Sequence, residues 1–257
     1  MFVGIMGDYL DRVKTGIKGF DELIEGGFPK GFNVLFTGLP GTGKTIFGQQ
    51  FLYNGAMDNS PGVYVSLDMS CDIFRAQGDQ FGWDIERLEK ENKLAIVKVP
   101  LDRKRVRLFD MIREHVERIK AKRLVFDSLA AFEINIDQFD IPLVFDDDIN
   151  KIISSSNLAD KELFYSGDSK QRVTFLTLNH LSKFGTTNLI ITDQVSEENK
   201  STVDGVSEYV CDGVVNLHAI EGEEAFNTLN ITKMRLTNAK RGVYNFAIDK
   251  TGITIKE

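Results

Sequence analysis

The stretch Gly38-Leu39-Pro40-Gly41-Thr42-Gly43-Lys44-Thr45 constrains this chain more than any other. It lies between an apolar run, Asn33–Thr37, and a segment of helical periodicity, Lys44–Met57, in which Phe47, Phe51 and Ala56 fall near one face. Glycines at this spacing admit backbone angles that turn successive N–H groups inward, which makes a nest for an anion. The helix after the loop adds the positive end of its dipole at the same point. Strand, glycine-rich loop and helix in this order point to an α/β fold with the loop at the carboxyl edge of a sheet.

The rest of the chain keeps that rhythm. Short apolar runs at Val63–Leu67, Leu94–Val99, Leu124–Asp127, Asn188–Thr192 and Gly213–Leu217 read as strands, several of them continuous enough to be buried on both faces. Helical spacing precedes two of them, through Leu108, Ile112, Val116 and Ile119 and through Val173, Leu176, His180, Leu181 and Phe184. The pattern implies a mostly parallel, twisted sheet flanked by helices, with right-handed crossovers. The C-terminal runs Asn227–Lys233, Val243–Ile248 and Gly252–Ile255 alternate and are joined by turn chemistry, so they extend the sheet in antiparallel fashion. Residues 1–12 form a short extension and 13–257 one domain, interrupted by an insertion at about 133–171 that carries the acidic run Asp146-Asp147-Asp148.

Composition excludes several classes. With 42% hydrophobic and 27% charged residues the 257-residue chain is neither disordered nor fibrous. No apolar run approaches the length of a membrane helix, and the N-terminus has no basic-then-apolar leader, so the expectation is a cytoplasmic protein without membrane contact. A net charge of −7 argues against a general nucleic-acid coat. Cys71 and Cys211, and His115, His180 and His218, fit no metal-ligand spacing.

The octapeptide matches G-x-x-x-x-G-K-[ST], the P-loop. In that reading Gly38, Leu39, Pro40, Gly41, Thr42, Gly43, Lys44, Thr45 and Ile46 wrap the phosphates of a nucleoside triphosphate. Lys44 reaches the β- and γ-phosphates, and the Thr45 hydroxyl binds Mg²⁺. Asp127 ends an apolar strand and is the candidate second metal ligand, though an Asp there also serves as a cap or turn. Asp68 ends the strand after the P-loop helix and is the candidate general base for the attacking water; an N-cap is the other reading, and Ser70 fills that role equally well. Gln194, at the end of Leu189–Thr192, is a candidate for orienting the water or the γ-phosphate, or else a polar loop residue. Phe81 and Trp83 read as core packing rather than a base-stacking pair.

Further segments carry a family resemblance. They are Lys14-Thr15-Gly16-Ile17-Lys18-Gly19-Phe20-Asp21, Gly26-Gly27-Phe28-Pro29-Lys30-Gly31, Phe81-Gly82-Trp83-Asp84, Lys233-Met234-Arg235 and Arg241-Gly242-Val243-Tyr244-Asn245-Phe246. Together with the P-loop they resemble the RecA superfamily and, within it, the KaiC-like ATPases. The resemblance implies a RecA-type P-loop NTPase with ATP and Mg²⁺ as ligands. It also implies self-assembly into a ring, often a hexamer, with nucleotide between subunits. Lys233 and Arg235 would then approach the neighbour's phosphates as an arginine-finger pair, and Ile248 would lie against the adenine. Read from the residues alone, the first two fit a solvated strand face equally well.

Two departures point to slow hydrolysis. The family's pair of adjacent glutamates is Asp68-Met69 here, one methylene shorter at the first position and without the second acid. Its Gly-Thr-Ser-His is Leu236-Thr237-Asn238-Ala239. The functional expectation is a Mg²⁺-dependent, slow ATPase acting at the subunit interfaces of a nucleotide-gated regulatory ring. A scaffold that only binds ATP stays open beside it. The alternative is a RadA-paralogue DNA-binding protein acting in recombination or repair with a recombinase or regulatory partner. Single-stranded DNA would then lie along Ser196–Val206 and the basic run Arg103-Lys104-Arg105-Val106-Arg107, which reads equally as a solvated helix start.

Overall fold

The computed structural model describes residues 11–140, 169–194, 205–220 and 226–256. In the first half of the chain come strands β1 (Arg12–Val13), β2 (Phe28–Pro29) and β3 (Asn33–Gly38), helix α1 (Lys44–Met57), β4 (Gly62–Ser66), α2 (Cys71–Gln80), α3 (Ile85–Lys90) and β5 (Leu94–Lys98). The chain continues with α4 (Leu108–Ile119), β6 (Arg123–Asp127), α5 (Leu129–Ile134), α6 (Ser169–Ser182), β7 (Thr187–Ile191), the short α7 (Ser207–Val210), β8 (Gly213–Ile220), β9 (Phe226–Met234), β10 (Val243–Asp249) and β11 (Gly252–Ile255).

Nine of the strands form one sheet in the order β11-β10-β9-β8-β3-β7-β6-β4-β5. The six from β8 to β5 run parallel, and β9, β10 and β11 continue the sheet antiparallel. Along each central strand the side chains alternate between two apolar clusters. On β3, Val34 and Phe36 join α1, α2 and α3 on one face, and Leu35 joins α4, α5 and α6 on the other. Two apolar faces explain why these strands read as unbroken hydrophobic runs.

The strands and the three long helices predicted from periodicity are present within one to four residues of the expected limits. Helices α2, α3 and α5 are not anticipated by periodicity. All three begin at a side-chain cap, Ser70, Asp84 and Ser128 respectively, which accept from the N–H groups of Ile73, Arg87 and Ala131. At the N-terminus Arg12 belongs to the fold rather than to an extension: it pairs with Pro29, and its guanidinium donates to the carbonyls of Ile24 and Gly27 and to the Thr237 hydroxyl. The basic run 103–107 is an exposed turn ahead of α4, not its first turn, and Val106 within it is buried. The acidic run at 146–148 lies outside the described residues. Phe81 and Trp83 stack with Tyr53, Trp83 buried and the other two packed at the edge of the core, as the packing reading predicts.

The strand register brings the functional ends together. Phe36, Ile191, Asp127 and Ser66 stand side by side across β3, β7, β6 and β4. The segments that leave the carboxyl ends of these strands therefore open on one edge of the sheet, over the N-terminus of α1.

Candidate functional site

Gly38 closes β3 and Lys44 opens α1, so the loop between them is stretched from sheet to helix. Gly41 and Gly43 have φ of 84° and 91°, left-handed angles that a side chain disfavours. A Cβ on Gly43 would press on Ile248 at 3.0 Å, which places Ile248 of β10 directly against the loop. A cavity of about 360 Å³ opens over the loop, lined among others by Gly43, Lys44, Thr45, Asp68, Asp127 and Asp193. That size is within the usual range for a small-molecule site.

Lys44 is buried and uses all three of its N–H donors. They reach the carbonyls of Gly38 (2.7 Å) and Leu39 (2.9 Å) and the Asp193 carboxylate (3.0 Å). The ammonium is thus held at the mouth of the loop by two neutral acceptors and one exchangeable anion, since Asp193 is 42% exposed.

The opposite wall is built on Asp127. It is two residues beyond Val125 and so shares its face of β6, toward α1. Its Oδ2 accepts from the Thr45 hydroxyl at 2.8 Å and from the Tyr64 phenol at 2.7 Å. Burial, reinforced by the charge of Asp68, pushes the Asp127 carboxyl above the ordinary carboxylate range, against the opposing hydrogen bonds of Tyr64 and Thr45. Burial, with Asp127 beside it, likewise holds the Tyr64 phenol well above its usual value. A hydroxyl and a carboxylate at this separation form the hard oxygen pair that suits Mg²⁺, and the loop's inward N–H groups suit phosphate. The residues present could therefore hold both.

Asp68 lines the same cavity and does not cap α2. Its Oδ1 accepts from the adjacent N–H of Met69, and the cap is Ser70, so the carboxylate faces the opening. Gln194 is buried beside the loop and donates its N–H to the Gly38 carbonyl at 3.3 Å. Lys233 and Arg235 are not brought to this edge. Lys233 pairs in register with Val214, and Met234 with Gly213, which stands beside Val34 at the start of β3. That is about 13 Å along the sheet from Gly38, at four steps of ~3.3 Å. At that far edge the Lys233 ammonium closes the carbonyl end of α7, through Glu208, Tyr209 and Cys211, and Arg235 pairs with Asp212 at 3.0 Å. Of the loop 196–206, only Gly205 and Val206 are described. Among the described residues no helix is long and apolar enough to cross a membrane, and no cluster of three metal-ligating side chains occurs.

Two contacts at the site escaped the sequence, the Tyr64–Asp127 hydrogen bond and the Lys44–Asp193 ion pair. The available signals were a phenol inside an apolar strand, which needs a buried partner, and an acid just past a strand that ends beside the loop.

Comparison with known proteins agrees with this geometry. The family model described as "ATPase: KaiC" matches residues 13–140 and 161–257. The circadian clock oscillator protein KaiC of Synechococcus elongatus is 31% identical over 255 residues, covering 95% of this chain and 44% of its own length. The protein of the same name from Thermostichus vulcanus is 31% identical with the same coverage. The chain thus spans about half the length of the curated relatives it matches. Among solved structures, a KaiC-like protein from the hyperthermophilic archaeon Pyrococcus horikoshii aligns with a TM-score of 0.76 and 33% identity, over 96% of this chain and 100% of that one.

Proposed function

This chain belongs to the KaiC family of ATPases, and from that premise we propose that it binds ATP with Mg²⁺ in the cavity over residues 38–46 and hydrolyses it slowly within a ring of its own copies. The observation that carries the reading is the convergence of Lys44, Thr45, Asp127 and Asp68 on one cavity above a glycine nest. Bound Mg²⁺–ATP supplies a γ-phosphoryl group whose charge is shared with the metal.

The chain's own groups do the rest. Lys44 exchanges the Asp193 carboxylate for phosphate oxygens, which the exposure of Asp193 makes inexpensive. Thr45 and Asp127 would hold the metal, and Ile248, packed against the loop, would lie against the base. Asp68 orients water and accepts its proton. An aspartate reaches one methylene less far than a glutamate, and a misplacement of ~1 Å costs about 10²-fold, which makes turnover slow. Lys233 and Arg235 would act in trans: their place at the far edge of the sheet keeps them from their own chain's loop, and to meet a neighbour's phosphates Lys233 would exchange the carbonyls of Glu208, Tyr209 and Cys211, and Arg235 the Asp212 carboxylate. Guanidinium and ammonium supplied there stabilise charge on the phosphoryl oxygens. Nucleotide that binds between subunits favours the assembled state by mass action, so occupancy gates the assembly.

Sizing the purified protein with and without Mg²⁺–ATP, while following phosphate release in the same sample, tests this reading. The expected result is a nucleotide-dependent rise in mass with turnover below about 1 s⁻¹, the foot of the usual enzymatic range. A mass unmoved by nucleotide, or phosphate release no faster than in Lys44→Ala, contradicts it.

A further inference from the structure

Tyr64 is a fully buried phenol in the middle of β4, sharing its face of the strand with Gly62 and Ser66. It stands opposite Val125 in the β4–β6 register, and its ring packs against Phe74 at 4.2 Å. Asp127 is the next residue on that face of β6, so the phenol reaches diagonally to it. A buried tyrosine hydroxyl requires an acceptor, and a backbone carbonyl would serve. This one takes Asp127 Oδ2 at 2.7 Å, the same oxygen that accepts from Thr45 at 2.8 Å.

With two donors on Oδ2, the carboxylate is fixed in rotation. Among the described residues no hydrogen bond reaches Oδ1, and Asp127 lines the cavity. From this geometry, and resting on the reading of the cavity as a Mg²⁺–nucleotide site, we propose that Tyr64 is a positioning residue for the metal: by holding Oδ2 it turns Oδ1 of Asp127 to the cation. A hydroxyl that merely satisfied the core would leave metal affinity untouched when removed. One that orients a ligand sets it, and loss of such outer contacts typically costs 10–100-fold in metal affinity.

Tyr64→Phe deletes the hydroxyl and keeps the ring. The test compares it with the wild type and with Phe74→Leu, which disturbs the same packing but not the contact with Asp127. Calorimetry gives ATP affinity in EDTA, and titration of Mn²⁺ into the ATP-saturated protein, followed by its electron spin resonance, gives metal affinity without turnover. The expected result for Tyr64→Phe is unchanged ATP affinity in EDTA and about 10-fold weaker Mn²⁺ binding. Phe74→Leu is expected to melt earlier and bind Mn²⁺ as the wild type does. Equal Mn²⁺ affinity in Tyr64→Phe and wild type overturns the proposal, and so does an equal loss in Phe74→Leu. If Tyr64→Phe does not fold, the hydroxyl is needed by the core rather than by the metal, and that outcome overturns the proposal as well. A wild-type protein that binds no ATP at all is a different outcome and defeats the reading of the cavity itself.

Discussion

Asp127 is held where a carboxylate is costly, and its burial raises its proton affinity in the folded chain. Between the ordinary carboxylate range and its raised folded value the native state binds more protons than the unfolded one, so this residue's contribution to stability falls as pH rises through that window. Asp127→Asn keeps an acceptor for Tyr64 and Thr45 and removes the charge. It is therefore expected to unfold at higher denaturant than the wild type at pH 7, with the gap closing below about pH 4, while Mg²⁺-dependent phosphate release drops by at least about 10²-fold. Urea melts across that pH range, paired with a phosphate assay, check both halves. Stability gained where function is lost marks a site kept for chemistry rather than for folding. The loop and Asp127 were legible in the sequence because their chemistry dictates residue type and spacing at once: glycines for the nest, a lysine and threonine at the helix start, an acid at a strand end. Tyr64 and Asp193 were not. Their roles depend on which strands lie side by side, and β4 and β6 are far apart in sequence while β4 comes directly after α1.

At the level of elements, α1 must be fixed against the sheet for the loop to keep its shape. Two buried polar contacts do this. Gln50 exchanges hydrogen bonds with both the N–H and the carbonyl of Ile253, which ties α1 to β11. Arg123 enters from β6, donates to the Phe51 carbonyl at 2.7 Å and lies over the Phe51 ring. Burial lowers its pKa to about 10, so it remains charged at neutral pH. The guanidinium passes so close to Gly55 that a Cβ there would overlap it. Gly→Ala in the interior of a helix usually stabilises; here Gly55→Ala is expected to destabilise by about 1–3 kcal/mol through overpacking. In an Arg123→Met background the same change is expected to become neutral or favourable. A double-mutant cycle by urea denaturation reads that reversal. Elements that periodicity revealed are long or fully buried, such as α1, α4 and the six parallel strands. Helices α2, α3 and α5 escaped it because they have ten, six and six residues, and a cap rather than a stripe defines where they start. Leu236 shows the opposite limit. A leucine stands where the resembling family has glycine, yet the backbone there still adopts φ of 52°, and Arg12 bonds its carbonyl.

For the whole molecule, the sheet separates two edges that a hydrolysing site would have to join. Lys44, Thr45, Asp68 and Asp127 stand at the carboxyl edge of the parallel strands, and Lys233 and Arg235 at the other. In the proposed reading, a second copy brings them together. Mixing Asp68→Ala with Arg235→Ala subunits is therefore expected to restore phosphate release that neither has alone, because some interfaces pair an intact loop edge with an intact Arg235. A site completed within one chain gives no restoration at any mixing ratio. This separation could not be read from residues alone, since the sequence shows both sets and not the edges they occupy; the antiparallel return of β9 decides it. Everything nevertheless depends on the phosphate cradle. Isothermal titration of Mg²⁺–ATP into the wild-type protein and into Lys44→Ala tests it most directly. The expected result is saturable binding of one nucleotide per chain, weakened by about 10–100-fold when the ammonium is removed. Heat indistinguishable from dilution in the folded wild type, or equal affinity in the two proteins, would contradict it.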